Sequence, residues 1–261
     1  MEEIKAFMID LGGVIYIDNN LIKGAKETLA FLKDNNYKYL FMSNTTQKRR
    51  KNISKKLLKM GIEIQEKEIF TPPIAAIKKL NKENKKRCYL FSTGDIHEEF
   101  QEKKIILTDQ KVDYVIVGDA AQQFNFKNMN KAFRLLLKEQ TCLMALEKDK
   151  YYMGSDKKLM LSAGPFVSAL EFATDKKAII IGKPSREFFE LGLKELGGNL
   201  NPQDVAMVGD DIFSDVGGAK QCGMKGILVK TGKYREELIN NSKIKADIFI
   251  DSIADLPDIN F

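Results

Sequence analysis

Four short segments of the 261-residue chain carry residue types suited to chemistry on an anionic substrate, and each follows an apolar run. The first is Asp10-Leu11-Gly12-Gly13-Val14. A carboxylate leaving a buried strand end is costly unless it is paired or used, and the two glycines let a ligand approach the backbone closely. The second, Ser43-Asn44-Thr45-Thr46, opens a predicted helix, where hydroxyls and free backbone amides suit a phosphate. In the third, Gly182-Lys183-Pro184-Ser185, Pro184 at a helix start fixes the approach of a lysine that can meet an anion as a point charge. The fourth runs from Gly209 to Gly218 and packs Asp210, Asp211 and Asp215 into six residues. Like charges so close raise one another's pKa unless a cation neutralises them, and hard oxygen ligands of this kind favour magnesium. A turn aspartate, a helix cap or a solvated lysine explains any of the first three taken alone. Their order is more specific: carboxylate, hydroxyl, lysine, carboxylate cluster, each after a strand. Together they supply a nucleophile, phosphate contacts, a counter-charge and a metal. In-line phosphoryl transfer requires that set, because most of its catalysis is positioning and charge neutralisation.

The elements that must position these segments are legible in the hydrophobic pattern. Short β-rich runs at 4–9, 38–42, 178–181, 204–208, 225–229 and 247–250 alternate with stretches at 24–35, 47–60, 185–196 and 214–222 that carry apolar residues at helical spacing. That alternation predicts a parallel sheet covered by helices, with all four segments at strand ends, where open α/β sheets place their ligand crevice. The middle of the chain has its own strand candidates near 88–91, 114–117 and 143–146 and helix candidates near 130–138 and 166–173. It is too long for a loop. A second domain, residues 74–176, is therefore expected inside a core of residues 1–73 and 177–261. Thr71-Pro72-Pro73 and Asp175-Lys176-Lys177 would be its hinges.

Composition narrows the function classes. Apolar residues make up 44% and charged residues 30%, a balance that excludes a disordered, collagen-like or disulfide-stapled chain. No apolar run approaches the ~20 residues of a membrane span, so no membrane partner is predicted. The acidic Met1-Glu2-Glu3 is unlike the basic start of a secretory leader. Cys88, Cys142 and Cys222 lie far apart, which fits neither a disulfide framework nor a zinc site and points to a reducing cytoplasm. Net charge is +6, yet Lys and Arg are scattered and mostly accompanied by acids. The one dense run, Lys48-Arg49-Arg50-Lys51, lacks interleaved aromatics, so no nucleic-acid partner is predicted. A single histidine, His97, excludes mechanisms that need two imidazoles.

On these residues the chain resembles the haloacid dehalogenase (HAD) superfamily phosphatases whose cap is inserted between the second and third motifs, the class IIA type. Asp10 matches the family's nucleophile, Ser43 its second motif, Lys183 its third, and Gly209-Asp210-Asp211 with Asp215 its fourth. The likeness covers almost the whole chain, and the stretches 128–133, 164–167, 217–219 and 231–235 are similar to one branch of the superfamily. The resemblance implies an α/β fold with a doubly wound, Rossmann-like core and a smaller inserted α/β cap. It implies Mg2+ held by Asp10, the backbone carbonyl of Gly12 and Asp210, with Asp215 a nearby ligand or an anchor behind them. It also implies attack by Asp10 on phosphorus, giving an aspartyl-phosphate that water then cleaves. Lys183, Ser43 and the backbone amides of Gly13 and Asn44 would hold the phosphoryl oxygens of a small phosphorylated substrate.

One position departs from the family pattern. Most of these phosphatases carry a second aspartate two residues after the nucleophile, where it protonates the leaving group, and here that position is Gly12. General acid–base help is worth ~10² to 10⁴-fold, so a weak or leaving-group-selective phosphatase is expected. The alternative is a phosphate-binding or regulatory protein with little turnover. A cap carboxylate such as Asp119, Asp156 or Glu98 is a candidate replacement acid, although exposed acids are more often simply solvated. Asp119, Tyr151, Tyr152 and Asp156 are the cap positions expected to bear on substrate choice. The cap helix near 130–138 reads first as cap core and second as the surface of a homodimer.

Overall fold

The computed structural model describes residues 4–154 and 158–259 and divides into two compact units. The first comprises the chain through Ser43, the segment Arg50–Phe70, and the chain from Lys183 onward. Its sheet has six parallel strands in the order Ile248–Ile250, Lys225–Val229, Val205–Gly209, Ala6–Asp10, Lys38–Met42, Ile69–Phe70. The Ala6–Asp10 strand is buried throughout, so its sequence is a continuous apolar run with a charge only at the last position. Ile9 lies beside Val208 on one side, and Asp10 beside Met42 on the other. Later strands stack on one side of Ala6–Asp10 and earlier ones on the opposite side. The direction of winding thus switches between Ala6–Asp10 and Val205–Gly209, which opens a crevice at their carboxyl ends.

Packing fixes this frame. Phe7, Ile9, Phe41, Val208 and Ile227 join Leu29 and Leu32 of helix Ala25–Asp34 and Leu57 of helix Arg50–Lys59 in one core. Helix Arg186–Leu196 buries Phe188 and Phe189, the first with its ring centre 5.0 Å from that of Phe70. The helix expected at 214–222 is instead a wide π-type turn, Ile212–Gly217, followed by a single turn, Gly218–Gln221. The Asp211 carboxylate accepts from the amides of Phe213 and Ser214 and starts the turn early. The Asp211 carbonyl then receives the amides of both Asp215 and Val216, which widens it.

The second unit comprises Asn44–Arg49 and Thr71–Gly182. Five parallel strands run in the order Ile179–Ile180, Cys142–Ala145, Tyr114–Val117, Arg87–Phe91, Ile106–Leu107. Helices Phe126–Leu136 and Gly164–Thr174 cover one core through Ala132, Leu135, Leu136, Val167 and Leu170. Strands Tyr151–Met153 and Leu159–Leu161 form a separate antiparallel ribbon.

The second unit resumes at Thr71, the first residue of one expected hinge, but its other end falls elsewhere than the hydrophobic pattern suggests. The run at 178–181 is not a core strand: Ile179 and Ile180 pair with Met144 and Ala145, which carries the second unit to Gly182. The segment Asn44–Arg49 is drawn to the same unit by polar bonds. Thr46 Oγ1 accepts from the Asp119 amide at 2.9 Å and the Thr46 carbonyl from the Ser92 hydroxyl at 2.9 Å. Gln47 Nε2 donates to the Thr93 hydroxyl at 3.1 Å. Arg49 is buried between Glu98 and Glu102, so this member of the basic run is structural. No helix among the described residues is long and apolar enough to cross a membrane.

Candidate active site

The first unit brings three of the four sequence segments into contact at the crevice. Lys183 is buried, and its Nζ donates to Asp10 Oδ1 at 2.5 Å and Asp215 Oδ1 at 2.6 Å, with the Met42 carbonyl at 3.4 Å. Burial alone would lower the Lys183 pKa, but the Asp10 and Asp215 carboxylates outweigh it and hold it raised. The side chain is therefore a fixed ammonium. Asp210 lies at the end of the Val205–Gly209 strand, and its Oδ2 accepts from the Lys233 amide at 2.7 Å. Asp215 Oδ2 accepts from the Asp211 amide at 3.2 Å.

Asp10, Asp210 and Asp215 each present an oxygen within 4.8 Å of the others, all three buried. Three carboxylates face one ammonium, which leaves two negative charges in excess when all are ionised. Burial, then the charges of Asp10 and Asp215, pushes the Asp210 pKa up. Burial also raises Asp215, with Lys183 pulling it back and Asp10 adding to the rise. A divalent cation matches both the excess charge and the hard oxygen donors, so the residues present fit magnesium. Asp211 is not part of this group. It caps the Ile212–Gly217 turn and faces Lys233 Nζ at 3.5 Å.

The loop after Asp10 shows why its two glycines differ. Gly13 has φ +82°, and a Cβ there would fall 1.9 Å from Asp210 Oδ2, so only glycine lets the two strand ends approach. A Cβ on Gly12 would meet nothing within 4 Å, and its carbonyl accepts no hydrogen bond among the described residues. The expectation that the Gly13 amide holds a phosphoryl oxygen needs correction. That N–H donates to the Tyr16 carbonyl at 2.8 Å, because the loop closes into a tight turn. Ser43 follows Met42, the partner of Asp10 in the sheet, and stands at the crevice edge. Asn44 belongs to the second unit, so the first unit does not bring it to Asp10.

A fifth segment, overlooked as chemistry in the sequence, completes the arrangement. After the Lys225–Val229 strand, Thr231 Oγ1 donates to the Gly13 carbonyl at 2.5 Å and the Lys233 amide holds Asp210. Gly232, at φ +61°, leaves Asp210 Oδ2 the space a Cβ would take. Its signal was available: a hydroxyl and a glycine directly after an apolar strand, as in the other segments.

The cap positions are more ordinary. Tyr151 and Tyr152 are exposed on the ribbon, opposite Leu161 and Met160. The Asp119 carboxylate accepts from the Ala121 amide and stiffens a turn. Glu98 is paired with Arg49. Asp156 lies outside the described residues.

Comparison with known proteins identifies the family and the fold. A haloacid dehalogenase-like hydrolase model matches residues 7–106, and a HAD-hydrolase-like model matches residues 180–256. The chain belongs to the haloacid dehalogenase-like hydrolase family and is an enzyme of its phosphatase type. It is 36% identical over 259 residues to phospholysine phosphohistidine inorganic pyrophosphate phosphatase of Danio rerio, covering 97% of this chain and 93% of that one. Over 240 residues it is 39% identical to haloacid dehalogenase-like hydrolase domain-containing protein 2 of Bos taurus, covering 91% and 89%. The p-nitrophenyl phosphatase from Archaeoglobus fulgidus has the same fold, with a TM-score of 0.91 at 27% identity over 98% and 99% of the two chains.

Proposed function

We propose that the chain is a magnesium-dependent phosphatase in which Asp10 attacks a small phosphorylated molecule, with a rate that depends on the leaving group. The observation that carries this reading is a buried carboxylate cluster with two excess negative charges, gathered around Asp10 at the topological switch point. Asp10, Asp210 and the Gly12 carbonyl would hold the metal, with Asp215 beside it or behind it. Bound there, Mg2+ would neutralise phosphoryl charge and orient the group for in-line attack.

The chain's own residues account for the rest. Lys183 holds Asp10 in position and offers positive charge to the transferred group. An Asp10 oxygen forms a bond to phosphorus as the bond to the leaving-group oxygen breaks. Water then attacks the aspartyl-phosphate, the Asp10–phosphorus bond breaks, and inorganic phosphate leaves. Ser43 at the crevice edge would bond a phosphoryl oxygen. Gly12 has no proton to donate, so an alkoxide must take one from solvent. Aryl, acyl and pyrophosphate leaving groups need little such help. Two of the relatives are named for pyrophosphate and p-nitrophenyl phosphate, which supports that preference. The three cysteines are free, in keeping with a reducing cytoplasm as its setting.

The test is hydrolysis of an aryl phosphate with Mg2+ by the parent chain, Asp10→Asn and Gly12→Asp. The parent is expected to exceed Asp10→Asn by ~10³-fold or more. A parent no faster than Asp10→Asn would instead support a phosphate-binding protein.

A further inference from the structure

We propose that a basic groove in the second unit binds a polyphosphate anion, separately from the reaction at Asp10. Helix Phe126–Leu136 and the turn after it place Lys127, Lys131, Arg134 and Lys138 at intervals of four, three and four residues. That spacing aligns them along one face of the helix, while Ala132, Leu135 and Leu136 point into the core. With Asn128 they line a cavity of about 600 Å³, a volume ordinary for a small-molecule site.

The charge in this groove is unbalanced. Its single acid is Asp109, which pairs with Lys131 at 2.6 Å and leaves three positive charges in excess. Lys127, Arg134 and Lys138 have no carboxylate partner among the described residues. Other lysines do find carboxylates, as Lys148 finds Glu171 and Lys220 finds Asp247. Like charges three or four residues apart on a helix repel, and in this groove only Asp109 offsets them.

The row also suits a chain of charges better than a single one. Lys127 to Lys138 spans roughly 16 Å along the helix axis. Lys131 is held between Asp109 and the face of Tyr89, 5.3 Å from the ring centre, so the middle of the row is preset. The shared chemistry is a run of linked phosphates, supplied either by condensed inorganic phosphate or by the phosphate chain of a nucleotide.

Calorimetric titration of the full chain with tripolyphosphate and with ATP, in EDTA, tests the proposal. Saturable binding is expected, weakened roughly fivefold by Arg134→Gln and again by Lys138→Gln. Asp109→Asn removes the one acid and should tighten binding, an effect no loss of folding can mimic. Asp10→Asn should leave it unchanged. Tighter binding of ATP than of tripolyphosphate assigns the nucleotide as the source, and equal or weaker binding assigns condensed phosphate. No saturable binding, or binding indifferent to Arg134→Gln and Lys138→Gln, would overturn the site.

Discussion

Two of the places that bury carboxylates meet the cost in opposite ways. Glu147, in the second unit, is 4% exposed and is satisfied by neutral neighbours. Its carboxylate accepts from the Ser162 hydroxyl at 2.8 Å, the Ala163 amide at 3.0 Å and the Asp149 amide at 2.5 Å. Burial raises its pKa, and these donors pull it partly back. The group is complete as it stands and ties the start of the Tyr151–Met153 ribbon to the residue before helix Gly164–Thr174. At the crevice of the first unit, three acids cluster and a single buried lysine pairs with two of them, Asp10 and Asp215. There, hydrogen bonds orient the groups without balancing their charge. A buried acid with enough donors is architecture, whereas a buried excess of charge anticipates a ligand.

The contrast breaks most sharply at Asp10. Asp10→Asn keeps the shape of the group and a hydrogen-bond acceptor but removes the attacking charge, and aryl-phosphate turnover should fall ~10³-fold or more. The next effect runs the other way. Gly12 has open space where a Cβ would stand, so Gly12→Asp should fold normally. It should raise turnover of alkyl phosphates by ~10²-fold or more while changing aryl phosphates much less. An equal gain on both classes would mean that leaving-group protonation was not limiting.

Smaller effects sharpen the difference between charge and orientation. Thr231→Val removes the bond to the Gly13 carbonyl while leaving all charges in place. Mg2+ affinity measured by calorimetry should weaken about tenfold, as expected when an outer support of a metal site is lost. At Glu147, Glu147→Gln exchanges one acceptor oxygen for an amide donor that faces donors already present, and should cost about 1–3 kcal/mol in urea unfolding. The pH dependence carries a sign. With the folded pKa raised, the native state holds the Glu147 proton longer than the unfolded chain does. Its contribution to stability is thus full below the ordinary glutamate pKa and falls as pH rises through the raised value. Glu147→Gln should abolish that part of the slope.

Much of this was readable in the sequence because strand ends announce themselves. Asp10 and Asp210 each end an apolar run, and the parallel topology of their shared sheet then forces both ends to one edge. What escaped the pattern was decided by partners distant in sequence. Ile179 and Ile180 look like any short apolar strand, and only pairing with Met144 and Ala145 assigns them to the second sheet. The place of Asn44–Arg49 depends on hydrogen bonds to Ser92, Thr93 and Asp119, which no periodicity encodes. The Gly13 amide is taken by Tyr16 because a turn closes three residues on. Asp211 and Asp215 were indistinguishable as types. The Ile212–Gly217 turn sends one to a cap and the other to Lys183.

The most direct measurement is a calorimetric titration of the chain and of Asp210→Asn with Mg2+ alone. The account predicts one ion bound per chain, with affinity lost or at least ~10-fold weaker in Asp210→Asn while urea unfolding shows the variant still folded. Uptake of Mg2+ that is equal in the two proteins, or absent from both, would contradict it.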